Sequence, residues 1–228
     1  LSYSANPKRQ ALFNTETLAL ISSTDDGISL DNTPWGGGHG KVNQFNNKNN
    51  YLFNTSSGPV WADASGSFED KRTIKGHGNF DHLKFNGYFR NGSEIILDHN
   101  VHGTRILDLV NENSHGISRF FEVAAHDKAL KVRLSNKSSH ESFGIKVAGQ
   151  GASLQNENGA YLLTLAPSKN TSLVSLNYTT NGAAQAPTPQ ALSPMTYSGK
   201  GISPESFTYD LKPAEGKAAW LVDNIPLP

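Results

Sequence analysis

The sequence predicts an all-β chain: an antiparallel β-sandwich, jelly-roll-like or built of two packed sheets, with long Gly/Asn-rich loops. Three observations carry this. Apolar residues seldom recur at spacings of three and four over the eleven or so positions that a helix face needs. Four Asn-Gly pairs, beginning at Asn86, Asn91, Asn158 and Asn181, offer the two positive-φ residues of a tight hairpin turn. Short apolar and β-branched runs recur between clusters of Gly, Asn and Ser, which is the spacing of a many-stranded sandwich.

In chain order, alternation and turn residues place strands at 8–14 and 17–22, then at 82–90, 94–101, 104–110 and 117–124. Further strands follow at 129–135, 142–148, 160–165 and 172–178, with terminal ones at 205–210 and 217–223. Two segments interrupt the rhythm. Residues 31–69 hold Gly36, Gly37 and Gly38, an Asn cluster and two tryptophans, Trp35 and Trp61; ordered loops of that length usually carry function or pack on a neighbour. Residues 181–204 carry Pro187, Pro189, Pro194 and Pro204 and read as a linker or surface strap. The domain plan is therefore a main sandwich over 1–180, the strap, and terminal strands over 205–228 that pack on the sandwich or lead to a next module.

The clearest local unit is the meander from Tyr88 to Val110. A two-residue turn at His102-Gly103 sets Val101 against Thr104, His99 against Ile106 and Ile95 against Val110. One face is then apolar, with His99 on it as a hydrogen-bonded core residue. Glu94, Asp98 and Asn100 face outward, and Arg105 lies diagonal to Asp98 in a modest cross-strand ion pair.

Composition removes several classes. The 228 residues are 36% hydrophobic and 18% charged, with 20 basic and 20 acidic side chains and no basic face, so no nucleic-acid partner is expected. With 0 cysteines, the chain carries no disulfide framework, Cys-ligated metal or covalently attached haem. It also lacks a dinucleotide glycine fingerprint after a strand, and no bound cofactor is expected. Apolar runs are far shorter than a membrane span. The start, LSYSANPKRQ, is unlike a signal peptide and reads as part of a longer or processed protein; the Asn, Ser, Thr and Gly content suggests an extracellular or periplasmic setting.

Three stretches carry a family likeness: LFNTETLALIS at 12–22, GGGHG at 36–40, and FNGYFRNGSEIILDHNVHGTRILDL at 85–109, continued by FFEV at 120–123. In order and spacing, over roughly residues 8–135, they resemble an uncharacterised domain of large secreted bacterial proteins. Those proteins also carry sorbosone-dehydrogenase-like propeller and c-type cytochrome modules. Asn14, Asp98 and His99 depart from that pattern, which tends to Asp, Ser and Tyr there. The resemblance implies a module of a secreted multidomain protein with a propeller or cytochrome neighbour, and it transfers no activity.

Ligand-binding candidates are Trp35, His39, Asn43 and Trp61: each indole is either buried in the core, the favoured reading, or the wall of a sugar-binding cleft with His39 and Asn43 as polar groups between. His39, between glycines, and His77 in KGHGN project from loops that allow close approach. His82, His99 and His102 are a conceivable three-histidine metal set, although 99 and 102 point to opposite faces of a strand. Asp25-Asp26-Gly27 and Asp63, Glu69 and Asp70 offer oxygen ligands of the calcium kind, without the twelve-residue calcium loop. No metal is assigned on these patterns. Five Asn-x-Ser/Thr triplets occur, at Asn54, Asn91, Asn136, Asn170 and Asn177. The functional expectation is a noncatalytic module that binds carbohydrate or docks a catalytic or electron-transfer partner. Two other readings are a segment of a periplasmic, cytochrome-linked sugar-oxidising enzyme that contributes the His39 loop, and a purely structural packing module.

Overall fold

In the computed structural model the described residues form strands, turns and loops without a helix, and the prediction of an antiparallel β-sandwich holds. The structure describes residues 2–6, 9–29, 44–45, 51–55, 58–74, 78–91, 94–136, 138, 140–157, 160–181 and 184–192. The strands are β1 (Ser2–Asn6), β2 (Arg9–Asn14), β3 (Ala19–Thr24), β4 (Ile28–Ser29), β5 (Gln44–Phe45), β6 (Phe53–Asn54), β7 (Leu83–Asn91) and β8 (Glu94–Val101). They continue as β9 (Thr104–Asn113), β10 (Gly116–Val123), β11 (Leu130–Ser135), β12 (Gly144–Ala148), β13 (Ala152–Glu157), β14 (Ala160–Leu165) and β15 (Ser172–Thr179). The expected strands at 205–210 and 217–223 lie outside the described residues. Among those described, no helix is long and apolar enough to cross a membrane.

One layer is a six-stranded antiparallel sheet in the order β12-β15-β10-β9-β8-β7. The other joins β1-β2-β3-β6 to β11-β14-β13 through residues 52–62. The first part of that segment pairs with β3, with Leu52 N–H donating to Ser23 O at 2.8 Å and Thr55 N–H to Ile21 O at 2.9 Å. Its last part pairs with β11, with Ala62 N–H donating to Lys131 O at 2.9 Å and Arg133 N–H to Val60 O at 2.8 Å. One run of chain thus stitches two sheets into one layer.

The layers meet through alternate residues of each strand, as the two-residue strand period requires. Leu97, Ile106, Val110, Phe121, Val174, Leu176 and Tyr178 from the six-stranded sheet pack on Phe13, Leu20, Phe53, Trp61, Val132 and Leu163 from the other layer. Ring centroids of Phe53 and Tyr178 are 5.0 Å apart across the interface.

The meander register is as predicted, with Val101 opposite Thr104 and His99 opposite Ile106. His102 and Gly103 both take positive φ, 51° and 81°, the geometry whose twist suits a two-residue hairpin. Three expectations need correction. Asn86-Gly87 is not a turn: it sits inside β7, where the register with β8 shifts between Phe85 and Gly87 and Gly87 takes φ 139°. A bulge and a turn recruit the same residue pair because both need backbone freedom. Asp98 stands on the outer face and pairs with Arg105 as expected, but it is covered there, only 8% exposed. Its carboxylate accepts from Arg105 Nη2 at 2.6 Å and from Asn86 Nδ2 of the bulge at 3.0 Å. Burial works against its charge, yet Arg105 and Asn86 hold its pKa below the usual carboxylate value.

The third correction concerns His99, which is fully buried with neither ring nitrogen hydrogen-bonded among the described residues. Burial, joined by the repulsion of Arg119 and opposed by Asp108 and Asp98, pushes its pKa down to about 4, so the ring is neutral near pH 7. Close by on the same inner face is a buried ion pair. Arg119 donates through Nε to Asp108 Oδ1 at 2.9 Å and through Nη2 to Oδ2 at 2.7 Å, with side chains 1% and 0% exposed. Burial opposes the guanidinium charge, but Asp108 beside it keeps the pKa above its ordinary value.

Candidate functional site: a cleft at the His102 turn

The His102-Gly103 turn helps to wall a surface cleft of about 930 Å³, lined also by residues 62–66, Thr104, Arg105 and residues 124–131. Concave sites of this size take small-molecule ligands. The first wall is tied around Asp63. Its Oδ1 accepts from Ser65 N–H at 2.9 Å, Ser65 Oγ at 2.6 Å and Ser67 N–H at 3.0 Å, and its Oδ2 from Lys71 Nζ at 2.6 Å. Lys71, with Ser65 and Ser67, holds the Asp63 carboxyl well below the usual range.

Two stacked imidazoles fix the first wall to the second. His102 Nε2 donates to Ala62 O at 2.9 Å and His82 Nε2 to Trp61 O at 3.2 Å. The ring centroids lie 5.2 Å apart at 27°. Because a carbonyl only accepts, each neutral ring carries its hydrogen on Nε2. Burial lowers the His82 pKa, with the neighbouring His102 adding to the shift and the Trp61 carbonyl opposing it. The third wall follows β10: Ala124 N–H donates to Arg105 O at 3.0 Å, and His126 exchanges backbone hydrogen bonds with Ser168 at 2.8 and 2.9 Å. His126 Nδ1 donates to Ala124 O at 2.9 Å, while its Nε2 is buried and has no partner among the described residues.

The cleft therefore offers an exposed imidazole face, short Ala and Gly side chains, and charges of both signs: Asp63, Asp127, Arg105, Lys128 and Lys131. Asp63 is matched by Lys71 and Arg105 by Asp98. Asp127, Lys128 and Lys131 add further charged groups of both signs to the lining.

Of the sequence-based ligand candidates, Trp35, His39 and Asn43 lie outside the described residues, as does His77. Trp61 is corrected: it is 0% exposed, a core residue rather than the wall of an open cleft. Its neighbours Val60 and Ala62 are hydrogen-bonded into β11, which turns the indole inward to within 5.9 Å of the Phe121 ring and 6.1 Å of His99. Only its carbonyl serves the cleft, through His82.

The histidine set divides, His82 and His102 stacking at the rim while His99 stays between the layers. Three of the five acidic calcium candidates are paired within the chain: Asp25 with Arg9 at 3.2 Å, Asp63 with Lys71, and Asp70 with Arg72 at 2.7 Å. Among the described residues no three His, Asp or Glu side chains gather as metal ligands. Asn177, one of the glycosylation triplets, is 6% exposed and its amide is used internally.

Sequence reasoning missed the third wall. Its signal, AAHDKA at 124–129, is a run of small and charged residues between two strands, which becomes a wall only once β10 and β11 are placed. No curated protein and no solved structure matches the chain. Residues 11–108, just under half of it, match a family described as a domain of unknown function, DUF6797, a span that runs from β2 into β9 and supplies two of the three walls.

Proposed function

We propose that this chain is a noncatalytic β-sandwich module of a larger secreted protein, and that it holds carbohydrate in the cleft at the His102 turn. The observation that carries the reading is the cleft itself: about 930 Å³, open, with a flat exposed imidazole and charged groups of both signs, of which Asp63 and Arg105 are matched within the protein. Sugar rings present apolar faces and alternating hydroxyls, which such a lining meets through stacking and hydrogen bonds to groups of either sign. The polar groups at the rim, Asp63, His82 and His102, are spent on holding loops in place, which favours a preformed binding surface over proton transfer. The resemblance to propeller- and cytochrome-linked proteins is consistent with such a module delivering a sugar oxidase to its substrate.

The test is calorimetric titration of a panel of oligosaccharides against the chain and against Ala125→Trp, which fills the cleft from an exposed position. Binding to the parent, weakened at least tenfold by the indole at an unchanged melting temperature, supports the reading. Saccharide binding that survives Ala125→Trp, or none at millimolar concentration, refutes it.

A further inference from the structure

On the outer face of the six-stranded sheet, the one that carries Ile96, Leu107 and Phe120, residues 184–192 lie as an extended strap. Asn177 Nδ2 donates to Ala184 O at 3.3 Å and to Gln185 O at 2.8 Å, Ser175 Oγ donates to Pro187 O, and Glu122 Oε2 accepts Leu192 N–H at 2.6 Å. Asn113 Nδ2 donates to Asn177 Oδ1 at 2.8 Å, which sets the Asn177 amide with its donor outward. At the end of the strap the Leu192 side chain, 2% exposed, closes a small apolar cluster of Ile96, Leu107, Leu109 and Phe120.

Among the described residues, the polar contacts the sheet makes with the strap read backbone: carbonyls of a proline-containing extended segment and one amide. A single aliphatic side chain supplies the anchor. Such a surface selects a conformation and one apolar residue rather than a sequence, which is how grooves that read pre-extended proline-rich chains work. Polar contact runs from Ala184 to Pro187 and resumes at Leu192, and beside Pro189 a cavity of about 520 Å³ opens, lined by residues 149–151, 166–168 and 170–173. A segment seated this way is displaceable, because it gives up few contacts when it leaves.

We propose that the groove formed by Glu122, Ser175, Asn177 and the Leu192 pocket is a recognition site for an extended, proline-containing segment of a partner protein with an aliphatic anchor residue, and that residues 184–192 occupy it as an exchangeable internal ligand. Tethering gives the strap a high effective concentration, so a free peptide competes poorly until the strap is released.

The probe is a fluorescent peptide with the sequence of residues 184–192, titrated against the full chain and its Leu192→Asp variant, in which the new carboxylate meets the apolar cluster close to Glu122. Peptide binding at least tenfold tighter to Leu192→Asp than to the parent, and lost again on adding Asn177→Leu, supports the proposal. Equal affinity for parent and Leu192→Asp, or binding indifferent to Asn177→Leu, overturns it. Because a variant can fail to fold, hydrogen exchange on the unaltered chain gives an independent reading. The Leu192 amide should exchange at least a hundredfold faster than that of Phe120 in β10. Equal rates, meaning that the strap leaves only when the sheet unfolds, overturn the proposal.

Discussion

Removing the charge of Asp108 while keeping its shape, as Asp108→Asn, isolates the buried ion pair. Asp108 faces Leu97 on β8 and Phe121 on β10, and Arg119 faces Val110, so the two charged residues are diagonal neighbours surrounded by apolar ones. The guanidinium carbon also lies 4.5 Å from the Phe121 ring centroid, a contact too weak to replace a carboxylate. With side chains 0–1% exposed, water cannot screen what remains, and breaking such a pair costs about 3 to 5 kcal/mol. At about 2 to 4 °C per kcal/mol for a chain of this size, the melting temperature should fall by about 6 to 20 °C. Arg119→Met alone strands the carboxylate and should cost a similar amount. Replacing both, Asp108→Leu with Arg119→Met, should return to within about 2 kcal/mol of the parent, because the pair's attraction largely offsets its own desolvation. Urea and thermal unfolding of the parent, Asp108→Leu, Arg119→Met and the double complete the cycle, with Asp108→Asn measured beside them. A cost below about 1 kcal/mol for Asp108→Asn, or a double variant as unstable as the sum of the singles, would falsify the account.

The two turn and strand glycines should fail for opposite reasons. Gly103 has φ 81° and open space where a Cβ would stand, so Gly103→Val should cost about 1 to 3 kcal/mol of backbone strain and Gly103→Asn less, ranked by denaturant midpoint. A Cβ at Gly116 would lie 1.9 Å from the Tyr178 carbonyl oxygen, so Gly116→Ala should cost more than Gly103→Asn; the reverse order would contradict the strand pairing. For His99, about 4 folded against about 6.5 unfolded means that the unfolded chain binds the extra proton between those values. Stability contributed by the neutral ring is therefore present above pH 6.5 and falls by about 3 kcal/mol as pH drops toward 4. His99→Leu should flatten that slope and, since neither ring nitrogen is bonded, change stability at pH 7 by less than about 1 kcal/mol. Equal slopes in parent and variant would show that another group titrates there.

The parts of this fold that alternation and turn chemistry specify locally were readable from the sequence. In β8 and β9, the period of two and one His-Gly turn fixed the register residue by residue. β13 went unread because its sequence, ASLQNE, is polar on an exposed edge and gives no apolar alternation. Asn86-Gly87 was misread because turn and bulge share a composition. Asp108 went unread: the predicted register sets it opposite Leu97, on the face that alternation presents as apolar. What neutralises it arrives from β10, and no local pattern names a partner that pairing must bring. The cleft has the same character: one wall is a readable turn, the second a loop tied around Asp63, and the third a segment that joins them only in three dimensions. Trp35, His39 and Asn43 lie outside the described residues, so the Gly-rich loop adds nothing to that comparison.

Residues 52–62 have a mechanical consequence. Hydrogen-bonded to β3 at one end and to β11 at the other, with Trp61 sunk into the core beneath, they act as a seam. Neither half of that layer can peel away without either breaking the seam or dragging the other half with it, so the two should open as one cooperative unit rather than as separate foldons. The seam also crosses the limits of the family match: residues 52–62 lie within 11–108, whereas β11, which they bind, lies beyond it. A polypeptide cut to the matched span would keep one side of the seam and lose what it is sewn to, leaving the backbone groups of Val60 and Ala62 and the indole of Trp61 facing water.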